Sequence, residues 1–343
     1  MTRPFRTALA AAWLAVLITA GPARAIYVFG NYGDPDPSDP TGATRLGRYT
    51  TAPTGAIADS GYQYESSFSG QGTPIAPHYI LTAAHLGTQV GRTFQVYQNG
   101  VNETFTVTNV YDDNGPGGSD LRVLQVDKAF TSYAPIYTGQ DEVGRDLVVY
   151  GRGTSRGAAV NGPFGQQGYL WAPGAGPLSY GQNIVNSTAS DPGTNSRNDY
   201  LTFAFSPVPN GSATTTATLS GGDSGGGLFI RDPRDGLWKL AGVNYGVEGG
   251  YLDANRKPLP EAGLFDQRGF YVPDNVPGGY TYIDPMTHPD PVSQLAYSTR
   301  VSDKLDFLGQ FVNTVSVPEP FAATMMATGL GIVAACRRLS RRR

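Results

Sequence analysis

A single cysteine, Cys336, occurs in 343 residues, so no intrachain disulfide is available and stability must come from a packed core. Hydrophobic residues make up 40 % of the chain, enough for a sizeable one. There are only three histidines, His78, His85 and His288, so a base that works near neutral pH has few places to be. Charged residues are 15 % of the chain, and nothing in it favours nucleic acid, whose binding needs clustered cations. No metal or cofactor is expected. What is plentiful is Gly, at 45, and Pro, at 26. Both favour turns over long helices, so the fold class expected is all-β.

The two ends read as sorting devices. Arg3 and Arg6 precede an apolar stretch, Thr7 to Thr19, and Ala23-Arg24-Ala25 has the A-x-A form of a signal-peptidase site. A membrane anchor is the weaker alternative, because the stretch is short of the ~20 residues that span a bilayer. Cleavage after Ala25 would leave Ile26 as the first residue. At the other end Val317-Pro318-Glu319-Pro320 precedes an apolar run, Phe321 to Ala335, and five arginines follow. This tripartite tail resembles the bacterial PEP-CTERM sorting signal, which implies an exported protein of the envelope, in membrane contact through the tail until the tail is processed. The ends carry eight of the 25 basic residues and one of the 28 acids, which leaves 17 against 27 and a net charge of −10 for the part between. The expected organisation is a signal at 1–25, one catalytic domain at 26–316 and a tail at 317–343.

Within that domain, Ser220-Gly221-Gly222-Asp223-Ser224-Gly225-Gly226-Gly227 stands out. Taken alone it reads either as a flexible loop or as a nucleophile turn. In the second reading the glycines reach φ > 0 and leave the serine open to a substrate carbonyl. The Gly222 and Ser224 N–H groups would then form an oxyanion hole. The choice depends on a base and an orienting carboxylate elsewhere. His78 follows a proline in a turn and His288 lies in a Pro-rich loop, so both read as inert. His85 ends the β-type run Tyr79-Ile80-Leu81-Thr82 after two alanines, and is the candidate base. Asp120 stands at the mouth of another strand, Leu121 to Val126. It is either a turn residue or the carboxylate that orients His85.

Further along, Gly227 to Ile230 and Leu237 to Gly246 read as a hairpin. The Pro-, Asp- and Tyr-containing stretch 247–295 reads as a long loop of the kind that is functional or disordered. Ser302 to Val312 reads as a helix capped by Ser302, with Leu305, Leu308 and Val312 on one face.

The chain order His85, Asp120, Ser224 is that of the chymotrypsin template. The segments Leu81-Thr82-Ala83-Ala84-His85, Asp120-Leu121, Gly151-Arg152-Gly153-Thr154, Gly222-Asp223-Ser224-Gly225-Gly226, Gly242-Val243-Asn244-Tyr245-Gly246 and Ser298-Thr299-Arg300-Val301 occur in order from about residue 69 to 312. Over that span the chain resembles the trypsin/chymotrypsin-like serine peptidases. The resemblance implies two six-stranded antiparallel barrels, about 60–135 and 140–312, with a short C-terminal helix. It implies Ser224 as nucleophile, His85 as base and then acid, and Asp120 as the group that fixes the His85 tautomer. Asn244, Tyr245 and Gly246 would pair with substrate backbone, and Thr218 would stand at the base of the specificity pocket, where no acid selects Lys or Arg. It also implies an activating ion pair between a chain-terminal ammonium and Asp223; Ile26 is the candidate for that terminus, the alternatives being an activating end further in and a plain strand or linker after the signal. The expected activity is hydrolysis of peptide or protein substrates by an exported monomer. The other classes are a catalytically silent protein of the same fold that binds in the envelope, and an esterase on the same site.

Overall fold

The computed structural model describes residues 26–29, 53–66, 71–98, 101–114, 118–172, 178–190, 199–206, 216–274, 276 and 278–312. The expected signal and sorting tail, with Cys336, lie outside the described residues. Among the described residues no helix is long and apolar enough to cross a membrane.

Strand β1 (Tyr27–Phe29) is followed by 3-10 turns at Gly55–Ile57 and Tyr62–Tyr64. Then come β2 (Thr73–Ala76), β3 (Tyr79–Ala83), β4 (Thr93–Gln98), β5 (Val101–Asp112) and β6 (Leu121–Val126). These five curl into one antiparallel sheet in the order β2-β3-β6-β5-β4. Next are β7 (Asp146–Gly151), the hairpin β8 (Ser155–Gly162) and β9 (Gly165–Ala172), β10 (Ser179–Ile184), β11 (Ser187–Ala189), β12 (Tyr200–Ala204) and β13 (Thr216–Thr218). After the serine turn follow β14 (Gly227–Arg231), β15 (Trp238–Val247), β16 (Ala262–Leu264), β17 (Tyr271–Pro273), β18 (Tyr280–Tyr282) and β19 (Leu295–Arg300). Seven of these form the second antiparallel sheet, β10-β7-β14-β15-β19-β12-β11. The two curled sheets are those expected of a two-barrel all-β chain. Their strand numbers, five and seven, differ from the expected six and six, and β13 pairs with β1 outside the larger sheet.

Period-two alternation builds the core. On β7, Leu147 and Val149 face the interior of the second barrel, while Val148 and Tyr150 face the first barrel. On β14, Leu228 and Ile230 point inward and Phe229 points to the junction. From the other side Leu81, Leu121 and Val123 meet that junction, and Ile80, Phe94, Phe105 and Leu124 fill the first barrel. The chain ends of β3, β6 and β15 are thereby fixed around one seam, where the site lies.

Two expectations are corrected. Residues 247–295 are not a plain loop. Pairing of β16 with β9 makes a three-stranded sheet with β8, and β17 pairs with β18. Tyr251, Ala262, Leu264 and Phe270 bury against Val160 in a separate small core. Strands of three residues carry too little alternation to announce themselves in sequence. The C-terminal helix is one turn, α1 (Leu305–Leu308), whose N-cap is Lys304. Ser302 does not cap it, because its hydroxyl donates to the buried Glu142 carboxylate instead.

Candidate active site

His85 lies in a 3-10 turn, Ala84–Leu86, directly after β3. Asp120 immediately precedes β6. The two strands are antiparallel with Ala83 opposite Leu121, so the end of one meets the start of the other. The Ala84 N–H donates to the Asp120 carbonyl at 2.7 Å and closes the joint. The Asp120 carboxylate then holds His85 at two points. Its Oδ1 accepts the His85 backbone N–H at 2.8 Å, and its Oδ2 lies 2.6 Å from ring Nδ1. An ionised carboxylate only accepts, so this contact assigns the ring proton to Nδ1 and leaves the Nε2 lone pair free. The His85 side chain is 39 % exposed against 12 % for Asp120, so the free nitrogen belongs to an open ring. His78 and His288 are exposed and far less engaged. Their Nδ1 atoms lie 3.3 Å from the Val126 carbonyl and 3.1 Å from the Asp284 carbonyl.

The serine turn is tied in from both barrels. A Cβ on Gly225 (φ +82) would overlap the Gln71 carbonyl and lie 2.7 Å from Thr82 Oγ1 and 2.9 Å from Leu86 Cδ1. The residue after Ser224 therefore touches the residue after His85. Gln71 Nε2 also donates to the Gly222 carbonyl at 3.3 Å. Ser224 itself is half-buried. Among the described residues its hydroxyl makes no hydrogen bond to the His85 ring, a looseness common to unliganded sites. Within the turn, the N–H groups of Asp223, Gly225 and Gly226 are paired, to Ser220, Asn244 and Asp223 carbonyls at 3.1, 2.9 and 3.2 Å. Those of Gly221, Gly222 and Ser224 donate to no acceptor among the described residues. Gly222 has φ +94, and a side chain there would press to 3.1 Å on Gly153 Cα. The turn thus presents free donors that only glycine geometry allows.

Asp223 points the other way, into the second barrel. It is fully buried. Its Oδ1 accepts the Gly153 N–H at 2.7 Å, and its Oδ2 accepts the Ser220 N–H at 2.7 Å and the Ser220 hydroxyl at 2.9 Å. The backbone N–H of Ile26 is a further donor, and Ile26 is 4 % exposed within the same core. Burial nevertheless pushes the Asp223 carboxyl up to about 6, against the lowering effect of these bonds. Ile26 has φ +43, an unusual backbone for a β-branched residue.

Of the residues expected to hold substrate, Tyr245 is 39 % exposed and its ring meets the His85 ring edge-on at 5.7 Å. Gly246 is open on its Cβ side. Asn244 has no such freedom. Its N–H and C=O are taken by Gly226 and Gly225, and its Nδ2 donates to the Tyr150 and Asp223 carbonyls at 2.7 and 3.2 Å. These bonds tie Asn244 to the serine turn, and Tyr245 and Gly246 are the more open of the three. Thr218 is buried on β13 opposite Tyr27, and its hydroxyl has no partner among the described residues.

Sequence reasoning missed the groups around the turn. Glu65, from the segment before β2, is buried at the barrel junction. Its Oε1 accepts from Thr73 Oγ1 and the Gly227 N–H, each at 3.1 Å, and burial pushes the carboxyl up to about 8. Arg152 faces it and is itself shifted down by burial. Trp171, on β9, packs over Gly221. No spacing in the sequence connects these positions to residue 224. No protein-family model matches the chain, and no curated protein matches it.

Proposed function

We propose that the chain is a serine endopeptidase, exported and carried to the envelope, that hydrolyses peptide bonds through an acyl-enzyme on Ser224. The observation that carries this reading is the two-point hold of Asp120 on His85, which leaves a free Nε2 beside a glycine turn with unpaired N–H groups. His85 Nε2 takes the Ser224 proton as Oγ attacks the scissile carbonyl. The Gly222 and Ser224 N–H groups receive the oxyanion, the kind of preorganised donor that supplies the largest share of acyl-transfer catalysis. The imidazolium returns its proton to the leaving amine, and Asp120 stabilises it meanwhile. Water then attacks the acyl-enzyme by the same path. The resemblance to trypsin-like peptidases supports the same roles. Exported location rests on the signal and on the tail resembling PEP-CTERM.

The test is covalent labelling of the purified protein by a fluorophosphonate, with peptide turnover measured beside it. The parent chain is expected to label and to cleave. Ser224→Ala should not label, and should keep only the ~10³–10⁴-fold advantage over water that binding and the oxyanion hole supply. A folded parent that neither labels nor cleaves would indicate the silent binding protein. Ester turnover without peptide turnover would indicate the esterase.

A further inference from the structure

The rim of the candidate oxyanion turn is supplied by another part of the chain. Gly221 is exposed and has no side chain to shape the approach to Gly222. Where a Gly221 Cβ would stand, Trp171 Cζ3 lies at 3.3 Å and Glu261 Oε2 at 4.0 Å. Both come from the small added sheet. Trp171 lies next to the end of β9, Glu261 immediately precedes β16, and the Trp171 backbone N–H donates to the Glu261 carbonyl at 2.8 Å. The Glu261 carboxylate is exposed and has no hydrogen bond or ion pair among the described residues. Arg156, across the β8–β9 ladder from Trp171, places its guanidinium over the Tyr169 ring at 4.2 Å.

We propose that Glu261 is a specificity-determining residue that favours substrates with a Lys or Arg side chain flanking the scissile bond and disfavours Asp and Glu there. This rests on the peptidase reading above. Charge selection falls to the rim, because Thr218, at the position expected to close the specificity pocket, is neutral. Trp171 fixes the wall, and Glu261 gives it its sign. A free carboxylate within several ångströms of a substrate cation is worth a factor of roughly three to ten in water-exposed geometry, and screening by salt reduces it.

The experiment measures kcat/KM of the purified chain on paired peptides that differ only in Lys or Glu beside the scissile bond. Parent, Glu261→Gln and Glu261→Lys are compared at low and high salt, with the active fraction set by fluorophosphonate titration. The Lys-to-Glu preference is expected to fall roughly three- to tenfold in Glu261→Gln and to invert in Glu261→Lys, with both effects shrinking at high salt. A parent that titrates fully, with the same preference in Glu261→Lys, overturns the role of Glu261 and leaves the peptidase reading standing. A parent that neither titrates nor cleaves overturns both.

Discussion

Removing the residue before Ile26 is expected to stabilise the fold and complete the oxyanion turn. The effect comes from Asp223. Its carboxyl is buried beneath the turn and raised from 3.8 to about 6. Between those values the folded chain keeps a proton that the unfolded chain has released, so stability falls as pH rises through this window. Above pH 6 the ionised carboxylate costs ~3 kcal/mol, at 1.36 kcal/mol per unit. The backbone nitrogen of Ile26 already bonds that carboxylate. If the chain begins at Ile26, the nitrogen becomes an ammonium. A cation in that place lowers the folded carboxyl value and removes the cost. The φ of +43 is a second term. A β-branched residue held there stores on the order of 1–3 kcal/mol, and a first residue has no preceding carbonyl to clash with. The assay compares two purified forms, one starting at Ile26 and one with Ala25 retained, with their N-termini fixed by mass spectrometry. Urea unfolding from pH 4 to 8 should show the difference between the forms shrinking at low pH to the ~1–3 kcal/mol of the φ term alone. Above pH 6 the Ile26 form should be more stable by ~3 kcal/mol or more. Fluorophosphonate titration should be full for the Ile26 form and weak for the other. Equal unfolding profiles together with equal labelling would refute the insertion of the terminus and leave β1 a plain strand against β13.

Three further outcomes are expected. Asp120→Asn keeps the shape of the His85 contact but can turn an N–H donor toward Nδ1, which favours the wrong tautomer; kcat should fall on the order of 10⁴-fold while KM and the unfolding midpoint change little. Gly222→Ala forces a side chain onto Gly153 Cα from a φ of +94, so unfolding should show a loss of ~1–3 kcal/mol and labelling should slow. Glu65, raised from 4.5 to about 8 by burial, keeps its proton in the folded chain through that window, so parent stability should fall as pH rises from 5 to 8. Glu65→Gln carries no titrating group and should flatten that fall by several kcal/mol in urea titrations at the two pH values.

The candidate catalytic groups stand out in the sequence because the proposed chemistry demands fixed residue types at strand ends. His85 closes an apolar run, Asp120 opens one, and the register of β3 on β6 joins them. The hairpin β14–β15 is equally legible, since two apolar arms flank a polar turn, Asp232 to Leu237 between the strands. The short elements were not. The core of Tyr251, Ala262, Leu264 and Phe270 is contributed by pieces of three residues and by turns, and its partner Val160 is roughly 90 to 110 residues away in sequence. The engagement of Asn244 is hidden from the sequence for a related reason. The motif around it identifies a strand beside the cleft, but which edge of each residue is already bonded depends on Gly225 and Gly226 across the fold.

A turn made of glycine leaves its own surroundings undetermined. Gly221, Gly222 and Gly225 leave the turn open, but none contributes a side chain to the rim. The wall is therefore assembled from distant segments. Gln71 and Leu86 come from the first barrel, while Trp171 and Glu261 come from the small sheet that 247–295 helps to build. The candidate triad stands at the ends of β3 and β6 and on the turn before β14, which take their shape from the two barrel cores and their junction. The small sheet has a core of its own. Substitutions in residues 247–295 can therefore change what the cleft accepts while His85, Asp120 and Ser224 keep their places. The division also predicts where variants will separate function from fold: replacements at Glu261 should move substrate preference without moving the unfolding midpoint, whereas replacements at Gly222 or Asp223 should move the midpoint and the labelling rate together.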